Sequence, residues 1–160
     1  MQEIVVGISD VKFAKGEVQL VTYALGSCVG VCIYDDVRHV GGMLHAMLPD
    51  ANKGSFDGRI EKYVNSGIPY LYKRLCAMGT DARHLIAKIV GGAKMFDFAA
   101  TGAESDIGTA NIVAARKCLN YLGIPIIAEA TGGTVGRSVW FSVSDGSVKI
   151  KTTSNEVIDV

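Results

Sequence analysis

The chain has 160 residues, 49% of them hydrophobic, with 16 basic and 16 acidic side chains and a formal net charge of zero. That length and composition point to one domain with a substantial core. The charge balance, with no basic run or basic–aromatic stripe, argues against nucleic acid as a partner. No apolar run is long enough to cross a bilayer, so no membrane insertion is expected. The start, Met1-Gln2-Glu3-Ile4, lacks the basic and long apolar regions of a signal peptide. A cytoplasmic location follows, in which Cys28, Cys32, Cys76 and Cys118 stay reduced. They contain no C-x-x-C pair, so neither a zinc site nor a disulfide framework is expected.

In chain order, residues 3–8 and 11–14 read as short strands around Ser9-Asp10. Residues 17–24, 29–34 and 40–48 read as three consecutive strands, bounded by Gly or Asp. A polar loop, 49–58, follows directly and borders whatever the strand before it carries. Apolar residues at Ile60, Tyr63, Val64, Ile68, Leu71, Tyr72 and Leu75 predict a helix over 59–77. Pro69 should kink or restart it near Ser66-Gly67, and Gly79 should end it. Residues 84–90 predict a strand ended by Gly91-Gly92, and Lys94-Met95-Phe96 opens a loop through Ala103. A second helix is predicted over 108–122, with Ile112, Ala115, Leu119 and Leu122 on one face and Gly123 as its stop. A strand over 124–129 and a hairpin of 137–144 with 147–152 about Asp145-Gly146 complete the chain. Several strands follow one another without helices between them. The fold class is therefore α+β, with two long helices on one face of a mixed sheet and further β-structure beneath. The chain shows no internal repeat or linker.

The stretch that carries chemistry is Leu25-Gly26-Ser27-Cys28 with Gly41-Gly42-Met43-Leu44-His45. Cys28 sits at a break between two strands, and His45 lies on the strand that returns. A thiol and an imidazole brought together this way are the minimum for cysteine nucleophile chemistry. Amides at the break, around Gly26 and Ser27, could hold an oxyanion, and Thr22 on the incoming strand could orient the imidazole. Against this, a free cysteine usually just packs, a histidine between Leu44 and Ala46 is usually a satisfied core residue, and threonine is common in strands. Cys32, Cys76 and Cys118 read as core, His39 as solvated, and His84 as without a role. Gly26-Ser27-Cys28-Val29-Gly30 matches a nucleophile elbow, but a strand follows where the elbow needs a helix. Gly132-Gly133-Thr134-Val135-Gly136-Arg137 lacks the Gly-Lys-Ser/Thr ending of a phosphate loop and reads as a tight turn.

Leu25–Asp35 followed by Gly41–Pro49 resembles the CheD family, the chemoreceptor glutamine deamidases. Lys62-Tyr63, Gly91-Gly92-Ala93-Lys94-Met95-Phe96, Ile107-Gly108 with Asn111, and Gly132-Gly133 with Gly136-Arg137 continue that family's order over nearly the whole chain. The resemblance implies a three-layer α/β/β fold similar to deamidating toxin catalytic domains. It implies a Cys-His-Thr triad of Cys28, His45 and Thr22 and no cofactor. The implied activity is that of a protein-glutamine glutaminase, with glutamines of methyl-accepting chemotaxis receptors as substrates. A binding partner, the CheC phosphatase, is also implied. One departure is Leu44, where many relatives carry asparagine, a change that could alter hydrogen bonding near His45. Three other readings stay open: a non-enzymatic adaptor binding receptor or CheC, a thiol-redox protein, and a cysteine hydrolase of unrelated substrate.

Overall fold

The computed structural model describes residues 1–53, 56–95 and 106–160. The strands are β1 (Gln2–Val5), β2 (Asp10–Lys15), β3 (Val18–Leu25), β4 (Val29–Asp35), β5 (Val40–Ala46), β6 (Leu85–Gly91), β7 (Ile126–Thr131), β8 (Arg137–Ser142), β9 (Val148–Thr152) and β10 (Val157–Asp159). The helices are α1 (Val64–Ala77) and α2 (Ile107–Leu122). One sheet has the order β2-β5-β4-β6-β7, the other β1-β3-β8-β9-β10. Both are mixed: β6 and β7 run parallel, as do β1 and β3, and the remaining neighbours are antiparallel.

Two apolar layers hold the molecule together. Val31, Ile33, Leu44 and Ile89 of the first sheet pack against Ile68, Leu71 and Leu75 of α1 and Ala115 and Leu119 of α2. On the other face of that sheet, Cys32, Tyr34, Met43 and Val90 meet Leu20, Val139, Phe141 and Ile150 of the second sheet. The result is the expected α+β class, arranged as helices, middle sheet and outer sheet. The middle sheet is covered on both faces, which is why every residue of β4 and β5 is buried. The outer sheet has one wet face, and β9 accordingly alternates buried and exposed. Each large side chain fully buried in these layers contributes roughly 1.5–3 kcal/mol.

Several boundaries differ from the sequence expectation, for local reasons. The predicted strand over 40–48 stops at Ala46, because the Met47 and Leu48 amides turn to the Lys62 carbonyl. The first helix is a short 3-10 turn, Ile60–Lys62, then an extended Tyr63, then α1. Its restart lies at Val64, whose amide donates to the Leu48 carbonyl, and not near Ser66-Gly67. Pro69 sits inside α1, within one continuous helix. The hairpin of β8 and β9 closes through 143–147 and not through two residues. Val143 is buried and its amide donates to the Val18 carbonyl, which draws it out of β8. β10 was not foreseen in the sequence. The loop predicted from Lys94 to Ala103 lies, from Phe96 on, outside the described residues.

Candidate active site

Thr22 and His45 face each other across the gap between the two sheets, and both are fully buried. Thr22 Oγ1 lies 2.7 Å from His45 Nδ1 and also 2.7 Å from the Val6 carbonyl oxygen. A hydroxyl has one proton, and a carbonyl can only accept. Thr22 therefore donates to Val6, and its oxygen accepts from Nδ1–H of His45. This fixes the tautomer and leaves Nε2 as the bare, proton-accepting nitrogen. Nε2 is buried and has no hydrogen-bond partner among the described residues.

His45 is brought toward the turn that carries Cys28 by strand register. In the β4–β5 pair, Gly30 lies opposite His45. Directly opposed residues of an antiparallel pair share a face, and alternation puts Cys32 and Met43 on that face too. That face is the one toward the outer sheet, where Cys28 also packs. Cys28 thus stands two residues from the position opposite His45, and Gly30 places no side chain between them.

The turn that carries Cys28 is held by its carbonyls. The Gly26 carbonyl accepts from the Ala93 amide and the Cys28 carbonyl from the Gly92 amide, each at 2.8 Å. The Ser27 carbonyl accepts from Asn111 Nδ2 at 2.8 Å, and the same amide group donates to the Met47 carbonyl at 3.0 Å. The approach depends on small residues. A Cβ on Gly91, whose φ is +102°, would sit 2.5 Å from the Cys28 carbonyl oxygen. Gly108 passes equally close to the carbonyls of Gly92 and Ala93. Among the described residues, the amides of Ser27 and Cys28 reach no carbonyl.

Burial dominates the electrostatics. It lowers His45 from 6.5 to about 4, with the nearby Asp10 carboxylate pulling weakly the other way. Burial raises the Cys28 thiol above its ordinary value, opposed by a hydrogen bond from its own amide. At neutral pH the pair is thiol and neutral imidazole.

Cys32 is core, with burial pushing its thiol up to about 12. Cys76 and Cys118 are only half-buried, at the edge of the helix–sheet core. His39 and His84 are exposed, and His39 Nδ1 contacts the Ser144 carbonyl. Gly132 and Gly133 adopt positive φ, as a tight turn demands. Leu44 points into the helix layer against Gly67, away from the face that carries His45, so its departure from asparagine does not reach the imidazole. Among the described residues no cluster of His, Cys, Asp and Glu could hold a metal ion, and no helix is long and apolar enough to cross a membrane. Two groups that hold this arrangement were not candidate site residues, for want of a clear sequence signal. The Val6 carbonyl is main chain and has none. Asn111 is a polar residue in the otherwise apolar buried stripe of α2, with Gly108, Ile112, Ala115 and Leu119.

The CheD chemotactic sensory transduction family model matches residues 47–152. That stretch begins after His45, but the similarity to individual relatives extends further. A protein of Clostridium novyi (strain NT) is 43% identical over 150 residues, covering 94% of this chain and 93% of the relative. One of Pyrococcus horikoshii is 42% identical over 160 residues, covering 99% and 98%. One of Clostridium kluyveri is 40% identical over 160 residues, covering 100% and 99%. All three are named probable chemoreceptor glutamine deamidase CheD. With a match of this extent to the family model and to relatives from both bacteria and archaea, the chain belongs to the CheD family of chemotactic sensory transduction proteins.

Proposed function

We propose that this chain is a protein-glutamine deamidase that acts on chemoreceptors through a Cys28–His45–Thr22 triad. The observation that carries the reading is the Thr22 hydroxyl held between the Val6 carbonyl and His45 Nδ1, which leaves Nε2 free to take a proton. The names of the relatives supply the substrate class.

The reaction begins from the neutral pair. As Cys28 Sγ attacks the side-chain carboxamide carbon of a receptor glutamine, His45 Nε2 takes the thiol proton. The C–S bond forms and the carbonyl π electrons move onto oxygen. Amides of the Gly26-Ser27-Cys28 turn stabilise this oxyanion; one such donor is worth about 3 kcal/mol of barrier. The carbonyl re-forms, the C–N bond breaks, and Nε2–H protonates the departing nitrogen, so that ammonia leaves and a thioester remains. Water then attacks the thioester while His45 takes its proton. Collapse releases glutamate, and the Cys28 sulfur recovers its proton from His45. A glutamyl methyl ester can enter the same acyl-enzyme, with methanol leaving in place of ammonia. No step calls on a metal or organic cofactor. CheC, the partner implied by the sequence resemblance, would compete with receptors for the enzyme.

Ammonia release from a chemoreceptor helical fragment tests the reading. Wild-type protein is expected to release it and Cys28→Ala to release none, with free glutamine a poor substrate. Equal rates with free glutamine would redirect the assignment to a small-amide hydrolase. A biological effect retained in full by Cys28→Ala would redirect it to a non-enzymatic adaptor.

A further inference from the structure

We infer that Asn111 is a positioning residue for the reaction: by holding the Ser27 carbonyl, it aims the Cys28 amide at the oxyanion. This rests on the deamidase reading above and adds to it a residue outside the triad.

In a planar trans peptide the N–H points opposite to the C=O. The Cys28 N–H belongs to the same peptide plane as the Ser27 carbonyl. Asn111 Nδ2 holds that carbonyl at 2.8 Å, so the Cys28 N–H is turned away from α2. Among the described residues the Cys28 amide reaches no carbonyl, so it is left to meet the oxygen of a carbonyl attacked at the sulfur of the same residue. The neighbouring plane is fixed in the same way: the Ala93 amide holds the Gly26 carbonyl and turns the Ser27 N–H outward.

Asn111 is suited to this task and to little else. It is fully buried on a helix face made of Gly108, Ile112, Ala115 and Leu119, where leucine would fill the space with less desolvation. Its two amide protons go to the residue before the nucleophile and to Met47, two residues past His45. One side chain therefore fixes the turn that carries Cys28 relative to the strand that carries His45. The cost is visible: Asn111 Oδ1 is buried without a partner among the described residues. The glycines around it keep α2 close enough for this reach, since a Cβ on Gly108 would collide with the Gly92 and Ala93 carbonyls.

Two reactions of the Cys28 thiol separate aiming from general disruption. Acylation by 4-nitrophenyl acetate passes through a tetrahedral oxyanion; alkylation by iodoacetamide does not. Both are followed on the intact protein as modification of the Cys28 peptide. Asn111→Ala is expected to slow acylation by about ten- to a hundredfold, less than or equal to the loss of a whole oxyanion donor. Alkylation should stay within about twofold of wild type. Asn111→Asp, of the same shape, presents an acceptor to two carbonyls and should behave likewise if Asn111→Ala does not fold. Unchanged acylation, or acylation and alkylation falling together, would overturn the inference. Turnover of the receptor fragment, run in parallel, reports on the deamidase reading separately. There Asn111→Ala should lower kcat with KM little changed, whereas a wild-type protein that acylates at Cys28 but releases no ammonia would strike the substrate assignment and leave the role of Asn111 standing.

Discussion

Thr22 has one proton and one carbonyl to give it to, and this single constraint sets the tautomer of His45. Thr22→Val keeps the shape and removes the acceptor for Nδ1–H. The ring is then free to carry its proton on Nε2, where it cannot take one from the thiol. The expected result is a kcat lower by about ten- to a hundredfold, within the range of a positioned base, with KM little changed. Thr22→Ser should restore most of it. A Thr22→Val enzyme with wild-type kcat would remove threonine from the triad. The burial of His45 also makes a pH prediction. A base lowered to about 4 is still neutral at pH 5.5, whereas an ordinary histidine near 6.5 would be only about one-tenth neutral there. Because the Cys28 thiol is raised and stays protonated at neutral pH, kcat/KM should be flat from about pH 5.5 to 8. Steady-state rates that fall about tenfold between pH 7.5 and 5.5 would contradict the neutral pair.

At the scale of elements, α1 shows how a helix is seated by one missing side chain. Gly67 lies against Leu44 of β5, and a Cβ there would meet Leu44 Cδ2 at 2.7 Å. Gly67→Val should therefore push the helix off the sheet and destabilise the protein by about 1–3 kcal/mol, read as a lower urea midpoint. Equal stability would mean that Leu44 can move aside. The same elements show what could be read in advance. α2 was legible because its apolar stripe and the left-handed Gly123 agree, and the Asp106 cap seals its start. α1 was legible in its face but not in its start, since Val64 is fixed by the Leu48 carbonyl, a contact between segments the sequence does not pair. The Asp145-Gly146 signal marked the turn but not its width. Tertiary packing decided that: Gly146 lies against the Tyr34 ring, and Val143 is bonded to Val18.

At the scale of the molecule, the candidate site is a product of stacking. Thr22 belongs to the outer sheet, His45 to the middle sheet, and Asn111 to the helix layer. The sequence made a thiol and an imidazole on neighbouring strands legible, because β3, β4 and β5 are consecutive and the turn residues mark their ends. The face-to-face meeting of Thr22 and His45 was not legible from spacing. It depends on how two sheets lie on each other, and the Val6 carbonyl has no side-chain signature at all. The same stacking links the site to stability. His45 titrates near 4 in the folded protein against about 6.5 when unfolded, so the unfolded chain binds the extra proton between these values. Stability is present in full above pH 6.5 and declines as the pH falls toward 4, by about 3 kcal/mol from this group. Urea unfolding at pH 7 and pH 4.5 should show the decline, and His45→Gln should flatten it. A decline unaltered in His45→Gln would place its origin in the carboxylates.

If Cys28 converts receptor glutamine to glutamate, the receptor gains mass only where the thiol is present. The most direct measurement is the intact mass of a chemoreceptor helical fragment after incubation with wild-type protein and with Cys28→Ala. Each amide converted to an acid adds about 1 Da as ammonia leaves through the acyl-enzyme. A shift is expected with wild type alone, located by peptide mapping at particular glutamines. A shift of equal size with Cys28→Ala, or none with wild type, would contradict it.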